Sequence, residues 1–357
     1  MAHSVDRDRP NGSSGTSSLA GLSSVVTGGS RGLGLLLADR LAARGARVTV
    51  LARDRAELDR AAELLRARGR TGVRTAVCDV ADQAAVREVL RGTADACDGV
   101  DLVICNAGTI QVAPVLDVGS EEFRYAMDSI FMGALHASLE ALPYLRRSPH
   151  GGRLALVGSV GGLVAAPHLL PYSCAKAAVA TLGEGLHAEL AADGVTVTSV
   201  HPGLMRTGSH LQAEFGGDRQ REFGWFSALA GAPLVSMDAQ RAAERIVTAV
   251  QNRRTRLVLT PLAHAAGLLH GVAPAVTTRL TALATRLLPE PTGERVPLRR
   301  GGAVEPPAHG VAARLRGLAS ALNDRAADAY NQRAAAFGRN PAPARDQRDP
   351  QAVRPHS

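Results

Sequence analysis

The stretch Ser23-Ser24-Val25-Val26-Thr27-Gly28-Gly29-Ser30-Arg31-Gly32-Leu33-Gly34 decides the fold. Its first five residues are uncharged and rich in β-branched side chains, as in a strand. From Gly34 to Arg44, apolar residues recur at three- and four-residue intervals, as on one face of a helix. Between the two lie Gly28, Gly32 and Gly34 in a GxxxGxG spacing. Glycines at a strand-to-helix turn let the backbone bend sharply and approach a pyrophosphate, whose charge is met by N–H groups at the helix N-terminus. In a chain this rich in glycine, such a spacing arises by chance about 0.3 to 0.4 times, so its place between strand and helix carries the inference. The cradle residues are Gly28, Ser30, Arg31, Gly32, Leu33 and Gly34.

Outward from this turn the same alternation repeats. Strand-like runs fall at Ser23–Thr27, Arg47–Leu51, Arg74–Val77, Asp101–Ile104, Arg153–Val157, Val195–Val200 and Arg256–Leu259. Helix-like segments lie at Gly34–Arg44, Arg55–Arg68, Gln83–Arg91, Phe131–Arg146, Ala175–Ala192 and Ala239–Gln251. The expected fold is α/β: a Rossmann-type doubly wound parallel sheet of about seven strands, flanked by helices and followed by a C-terminal helical extension. The domain reading is a disordered leader over 1–21, the sheet domain over 22–260, an amphipathic helical extension over 261–290 and an Arg/Ala/Pro-rich, largely disordered tail over 291–357.

Composition agrees. The chain has 357 residues, 45% of them hydrophobic and 21% charged, which suits a large globular domain and excludes a disordered or disulfide-scaffold protein. Cys78, Cys97, Cys105 and Cys174 form no CxxC pair and no metal-ligand spacing, so a reduced, cytoplasmic setting without disulfides or metal is expected. No secretory signal is read in the leader and no membrane span in the body. Of the net charge of +8, the segment 291–357 supplies +5 (11 Arg against 6 acids). No basic stripe with interleaved aromatics remains on the body, and nucleic-acid binding is not expected.

Three places carry chemistry. Tyr172-Ser173-Cys174-Ala175-Lys176 opens a helix, so phenol and ammonium share one face. An ammonium about 4 Å from a phenolate is worth about 4 kcal/mol at an effective dielectric near 20, enough to draw a tyrosine from about 10 towards neutrality. A chance YxxxK has odds of about 1% here. Among 41 basic residues Lys176 is the one lysine, which argues for a position that needs an amine. Thirteen residues earlier, Ser159 ends the fifth strand run, at the sheet edge where ligands bind. Its hydroxyl would orient a carbonyl; a serine closing a turn is the alternative. The second strand run ends in Arg53 rather than in a carboxylate. Arg53 and Arg31 together would clamp a 2′-phosphate, favouring NADP(H) over NAD(H), unless both are ordinary surface charges.

Taken together, TGGSRGLG at 27–34, Cys78-Asp79-Val80, Asn106-Ala107-Gly108, Ser159, YSCAK at 172–176 and His201-Pro202-Gly203 resemble the short-chain dehydrogenase/reductase family over about residues 22–260. The resemblance implies that Tyr172 exchanges the proton, Lys176 holds the nicotinamide ribose and Ser159 positions the reacting oxygen. It further implies that Asp79 and Val80 lie beside adenine, that Asn106, Ala107 and Gly108 line the cofactor cleft, and that Pro202, Gly203 and Thr207 shape the nicotinamide pocket. One position departs: Ile130 stands where the family places a helix asparagine that holds a relay water.

Between Gly203 and Asp238 lie Leu204, Met205, Leu211, Phe215, Phe223, Trp225, Phe226 and Leu229. By the resemblance this is a mobile lid, which suggests a small apolar carbonyl or alcohol substrate; an interface helix is the alternative. The expected activity is NADP(H)-dependent interconversion of an apolar ketone or aldehyde and its alcohol. The rival is a weakly active NADP-binding scaffold or redox sensor. A homo-oligomer is expected by the resemblance. The Leu-rich stripe over 261–290 would pack on the domain, pair with a second copy or rest on a membrane surface.

Overall fold

Seven runs of apolar sequence become one parallel sheet. The structure, a computed structural model, describes residues 18–233, 235–304 and 322–333. The first strands and helices alternate as β1 (Ser23–Thr27), α1 (Gly32–Ala43), β2 (Arg47–Ala52), α2 (Arg55–Ala67), β3 (Val73–Val77), α3 (Gln83–Cys97) and β4 (Leu102–Cys105). A two-residue strand β5 (Gln111–Val112), α4 (Ser120–Ala126), a π-helical turn (Met127–Met132) and α5 (Gly133–Leu145) lead to β6 (Arg153–Val157), α6 (Leu170–Leu190) and β7 (Thr196–His201). Then come β8 (Met205–Arg206), β9 (Glu214–Phe215), α7 (Arg219–Gly231), β10 (Met237–Asp238), α8 (Ala239–Gln251) and β11 (Arg256–Val258). Helices α9 (Pro261–Val272) and α10 (Pro274–Thr285) and the short β12 (Arg299–Arg300) follow.

The sheet order is β11-β7-β6-β4-β1-β2-β3, and every pairing in it is parallel. The chain winds outward from β1 through β2 to β3, then crosses back to lay β4 on the other side of β1. That reversal opens a crevice beyond the carboxyl ends of β1 and β4, where ligands bind in such sheets. All residues of β1, β4 and β6 are buried, because helices cover both faces. One core gathers α1, α2 and α8; the other gathers α3, α5 and α6.

Helix boundaries move for local reasons. α3 runs to Cys97 rather than Arg91, because Thr93, Ala94 and Cys97 continue its buried stripe, and it stops where Asp98 turns left-handed at φ 56°. α6 begins at Leu170 rather than Ala175, since Pro171 fits a first helical turn. The two-residue strands carry no periodicity to read.

The tail differs more. Residues 305–321 and 334–357 lie outside the described residues; of 292–304, in the segment expected to be largely disordered, residues 292–295 are exposed while the end of the span pairs and packs. β12 pairs antiparallel with β9, which also pairs with β5, and Val304 joins a small core with Phe215 and Phe226. Residues 322–329 are helical and bury Asn323, Ala326 and Ala327, with Tyr330, Asn331 and Gln332 buried just beyond. These contacts rest on alanines and amides, which leave no hydrophobic pattern. Of the leader, residues 1–17 are outside the described residues, while Leu19 already belongs to the core.

α9 and α10 lean on each other yet leave Leu262, Leu268, Leu269, Val272, Val276, Leu280, Leu283 and Leu287 exposed. Packing on the domain thus covers little of the stripe; Ala263 and Thr277 are the buried positions of these two helices. No described helix is long and apolar enough to cross a membrane.

Candidate active site

At the end of β6 the chain passes through Gly158 into Ser159, whose extended backbone lets its Oγ accept the Gly161 N–H at 3.0 Å. The Tyr172 ring, in the first turn of α6, lies beside the same hydroxyl: a Cβ at Gly161 would stand 3.4 Å from Ser159 Oγ and 3.5 Å from Tyr172 Cε1. One helical turn on, Lys176 is buried; its Nζ lies 5.8 Å from the Tyr172 ring centroid and donates to the Val157 carbonyl at 2.6 Å. Serine, phenol and amine therefore converge at the carboxyl end of the sheet.

The electrostatics correct the expectation of an acidified phenol. Burial pushes Tyr172 above its ordinary value, opposed by the neighbouring Ser159 hydroxyl. Burial also pushes Lys176 down to about 8, with the Cys105 thiol beside it acting the other way. The amine donates to the Val157 carbonyl rather than to the phenol. His201, at the end of β7 against Gly158, is pushed down to about 4 by burial, then by Arg256, and so stays neutral near pH 7. Tyr172 is left as the proton donor beside Ser159.

Gly108 lies under this group: a Cβ there would stand 3.2 Å from Ile130 and 3.8 Å from Lys176 Nζ. Ile130 is buried in the π-helical turn, so a branched hydrocarbon faces the lysine where the resemblance implies an amide.

The glycine turn is built for close approach. A Cβ on Gly34 would fall 2.1 Å from the Gly28 carbonyl oxygen, and one on Gly28 2.7 Å from the Ala107 Cα. Asn106 ties the two strand ends, its Nδ2 donating to the Thr27 and Gly28 carbonyls at 3.1 Å each. The Asn106 and Ala107 N–H groups both donate to Thr27 Oγ1 at 3.0 Å. Leu33 is buried in the core below the turn.

Ser30 and Arg31 are engaged differently from expectation. Both bind Glu57, a buried acid in the first turn of α2: Ser30 Oγ donates to Oε2 at 2.9 Å and Arg31 contacts Oε1 at 2.5 Å. Arg31 therefore does not join Arg53 in a free two-arginine clamp. Arg53 lies at the exposed end of β2, 3.9 Å from Asp79. Asp79 also accepts the Ala81 N–H, and the adjacent Val80 is buried with its carbonyl on His136. Across the crevice, the Pro202 carbonyl accepts Val160 N–H, Gly203 packs against Thr260, and Thr207 is buried.

Sequence reading missed several participants. Glu57 was legible only as a helix-start acid three residues after the capping Asp54. Glu222, fully buried in α7, accepts from Trp225 Nε1 at 2.7 Å and pairs with His168 at 2.8 Å, where His168 sits at a left-handed φ of 61°. The lid aromatics mostly pack on one another edge to face, Phe215 against Phe223 at 5.4 Å and against Phe226 at 5.9 Å. Tyr330, Asn331 and Gln332 reach the glycine turn from a segment expected to be disordered.

These residues fit a dinucleotide: backbone contacts leave no room for side chains at Gly28 and Gly34, and the Gly32 N–H at the N-terminus of α1, here donated to the Tyr330 carbonyl, is the kind of donor that meets a phosphate oxygen. The family model described as short chain dehydrogenase matches residues 23–214, more than half of the chain. A tropinone reductase homolog of Arabidopsis thaliana is 33% identical over 202 residues, 56% of this chain and 72% of that protein. An uncharacterized oxidoreductase of Staphylococcus saprophyticus is 30% identical over 183 residues, 51% of this chain and 78% of its own. A crystal structure of a short-chain type dehydrogenase/reductase from Mycobacterium marinum superposes with a TM-score of 0.59 at 25% identity, covering 68% of this chain and 95% of that one. With its glycine turn, its serine–tyrosine–lysine group and these matches, the chain belongs to the short-chain dehydrogenase/reductase family of oxidoreductases.

Proposed function

We propose that the protein interconverts an apolar ketone or aldehyde and its alcohol with NADP(H). The observation that carries this reading is the convergence of three groups: Ser159 Oγ and the Tyr172 ring both lie within 3.5 Å of a Cβ built at Gly161, and the buried Lys176 Nζ stands 5.8 Å from the Tyr172 ring centroid. When bound, the nicotinamide supplies or accepts the hydride. Ser159 Oγ and Tyr172 Oη hold the substrate oxygen between them. In reduction the Tyr172 O–H proton passes to that oxygen as the carbonyl carbon receives hydride; in oxidation the phenolate takes the alcohol proton. Lys176 Nζ, near its midpoint at about pH 8, supplies positive charge below the phenol. Arg53, with no carboxylate taking its place at the end of β2, supports the 2′-phosphate preference. The names of the tropinone reductase homologs support a ketone as substrate.

The test is oxidation of NADPH, compared with NADH, against a panel of apolar ketones and aldehydes. NADPH turnover with at least one apolar ketone is expected, and Arg53→Asp should weaken NADPH about 10-fold or more while sparing NADH. Equal weakening of both cofactors would end the 2′-phosphate argument. Ile130 favours the rival, a weakly active scaffold, and absence of turnover across the panel with intact NADPH binding would select it.

The exposed leucines of α9 and α10 support a second element of the proposal, peripheral contact with an anionic lipid surface. Between Pro261 and Pro289 there is no acid, while Arg279, Arg286, His264 and His270 supply positive charge beside the apolar face. The full chain should sediment with phosphatidylserine-containing vesicles, and Leu269→Glu with Leu280→Glu should abolish this. Failure to sediment, or sedimentation unaffected by the two glutamates, rejects the contact.

A further inference from the structure

We propose that residues 322–333 are an autoinhibitory strap that occupies the pyrophosphate cradle and must leave it before a dinucleotide binds. The inference rests on the dinucleotide reading above and adds a control to it.

The strap is seated at both ends. Its helical part packs so tightly on Gly208 that a Cβ there would stand 2.3 Å from the Ala327 Cα. Asn323 Oδ1 accepts the Gly208 N–H at 2.8 Å. The ring of buried His210 is held between Asn323 Nδ2 at 2.8 Å and Asp324 Oδ1 at 3.0 Å. Beyond the helix the chain enters the crevice. The Tyr330 carbonyl accepts the Gly32 N–H at 2.9 Å. Asn331, left-handed at φ 59°, donates to the Ser30 carbonyl at 2.9 Å and the Glu57 carbonyl at 3.1 Å, and accepts from Arg60 Nε at 3.2 Å. Gln332 Nε2 donates to the Thr207 carbonyl at 3.2 Å and would lie 2.6 Å from a Cβ at Gly32.

Gly32 belongs to the phosphate cradle and Thr207 to the expected nicotinamide pocket, so Gln332 bridges the two places that one dinucleotide must span. The Gly32 N–H, at the start of α1, is the kind of donor that meets a phosphate oxygen at a helix N-terminus. Here a peptide carbonyl has taken it, and the amide of Gln332 fills the adjoining space. A phosphate oxygen and the Tyr330 oxygen cannot share that position. At the cradle the bonds to the Gly32, Ser30, Glu57 and Thr207 backbone groups are between neutral partners, which water replaces at small net cost, whereas a phosphate brings stronger charge-assisted bonds. Release by the dinucleotide is therefore reversible. When the competent state is a fraction of the population, apparent affinity falls by that fraction.

The test uses the full chain and two separate variants outside the cradle, Ala327→Arg, which cannot seat against Gly208, and Asn331→Ala, which loses the amide contacts. NADPH binding is followed by its fluorescence, and strap mobility by deuterium exchange over 322–333. Both variants are expected to bind NADPH about 10-fold more tightly or better, and saturating NADPH should speed exchange of the strap in the wild type. Unchanged or weaker binding in both variants, or protection of 322–333 by NADPH, overturns the proposal and makes the segment a clamp over bound cofactor. If neither NADPH nor NADH binds any of the three proteins, the dinucleotide reading itself has failed and the strap falls with it. A wild type that binds as well as its variants sinks the strap alone.

Discussion

Replacing Tyr172 with Phe is expected to lower turnover by about 10²–10⁴-fold, the usual worth of a positioned proton donor, and to leave NADPH affinity within a few-fold. The substitution keeps the ring in α6 and removes one oxygen. No charged second acid stands ready, since His201 is held neutral by its burial. Steady-state oxidation of NADPH with the best ketone, paired with a binding titration, gives both numbers. Turnover within a few-fold of wild type would remove the phenol from the reaction.

The second expected result is that Lys176→Met makes the protein more stable and much less active. Burial lowers the lysine to about 8 from an ordinary 10.5, a penalty of roughly 3 kcal/mol on the charged form near neutral pH. Methionine has a similar length and carries no charge. Loss of the charge-assisted bond to the Val157 carbonyl returns about 2 kcal/mol, leaving a net gain of about 1 kcal/mol. At roughly 2–4 °C per kcal/mol for a domain of this size, Tm at pH 7 rises by about 2–4 °C. The pH dependence fixes the cause. Because the folded-state pKa is depressed, the native protein binds fewer protons than the unfolded chain between about 8 and 10.5. Wild-type stability therefore rises with pH through that window, and the advantage of the methionine variant, full below pH 8, fades by pH 10.5. Turnover should fall by about 100-fold or more across the same range. A variant less stable than wild type at pH 7 would show that the lysine's surroundings do not disfavour its charge.

The sheet and its crevice were legible because their signals are local and periodic. Val25-Val26 and Leu102-Val103-Ile104-Cys105 read as buried strands from composition alone, and the glycine spacing between β1 and α1 named its own purpose. Ser159, Tyr172 and Lys176 were legible from spacing on one helix and position at a strand end. Other features were not. Arg31 looked like half of a phosphate clamp because sequence shows its charge and hides its partner, Glu57, which lies 26 positions away. The lid aromatics looked like a substrate wall, yet Phe215 and Phe226 are spent on holding β9 and α7 together. The acidity of the phenol was misjudged because a Coulomb argument in a uniform dielectric omits the desolvation of both partners. The segment over 322–333 gave no signal at all, since its seat is made of backbone carbonyls, small side chains and amides distant in sequence.

A chain that uses arginine everywhere else carries its single side-chain amine at the floor of the crevice, buried and half-neutral near pH 8. Amine-selective acylating reagents therefore find, apart from the chain's α-amino group, one side-chain address, and they reach it from the side where substrate and nicotinamide would enter. The mass increment of that one acyl adduct, followed over time, becomes a clock for how often the crevice is open to small molecules.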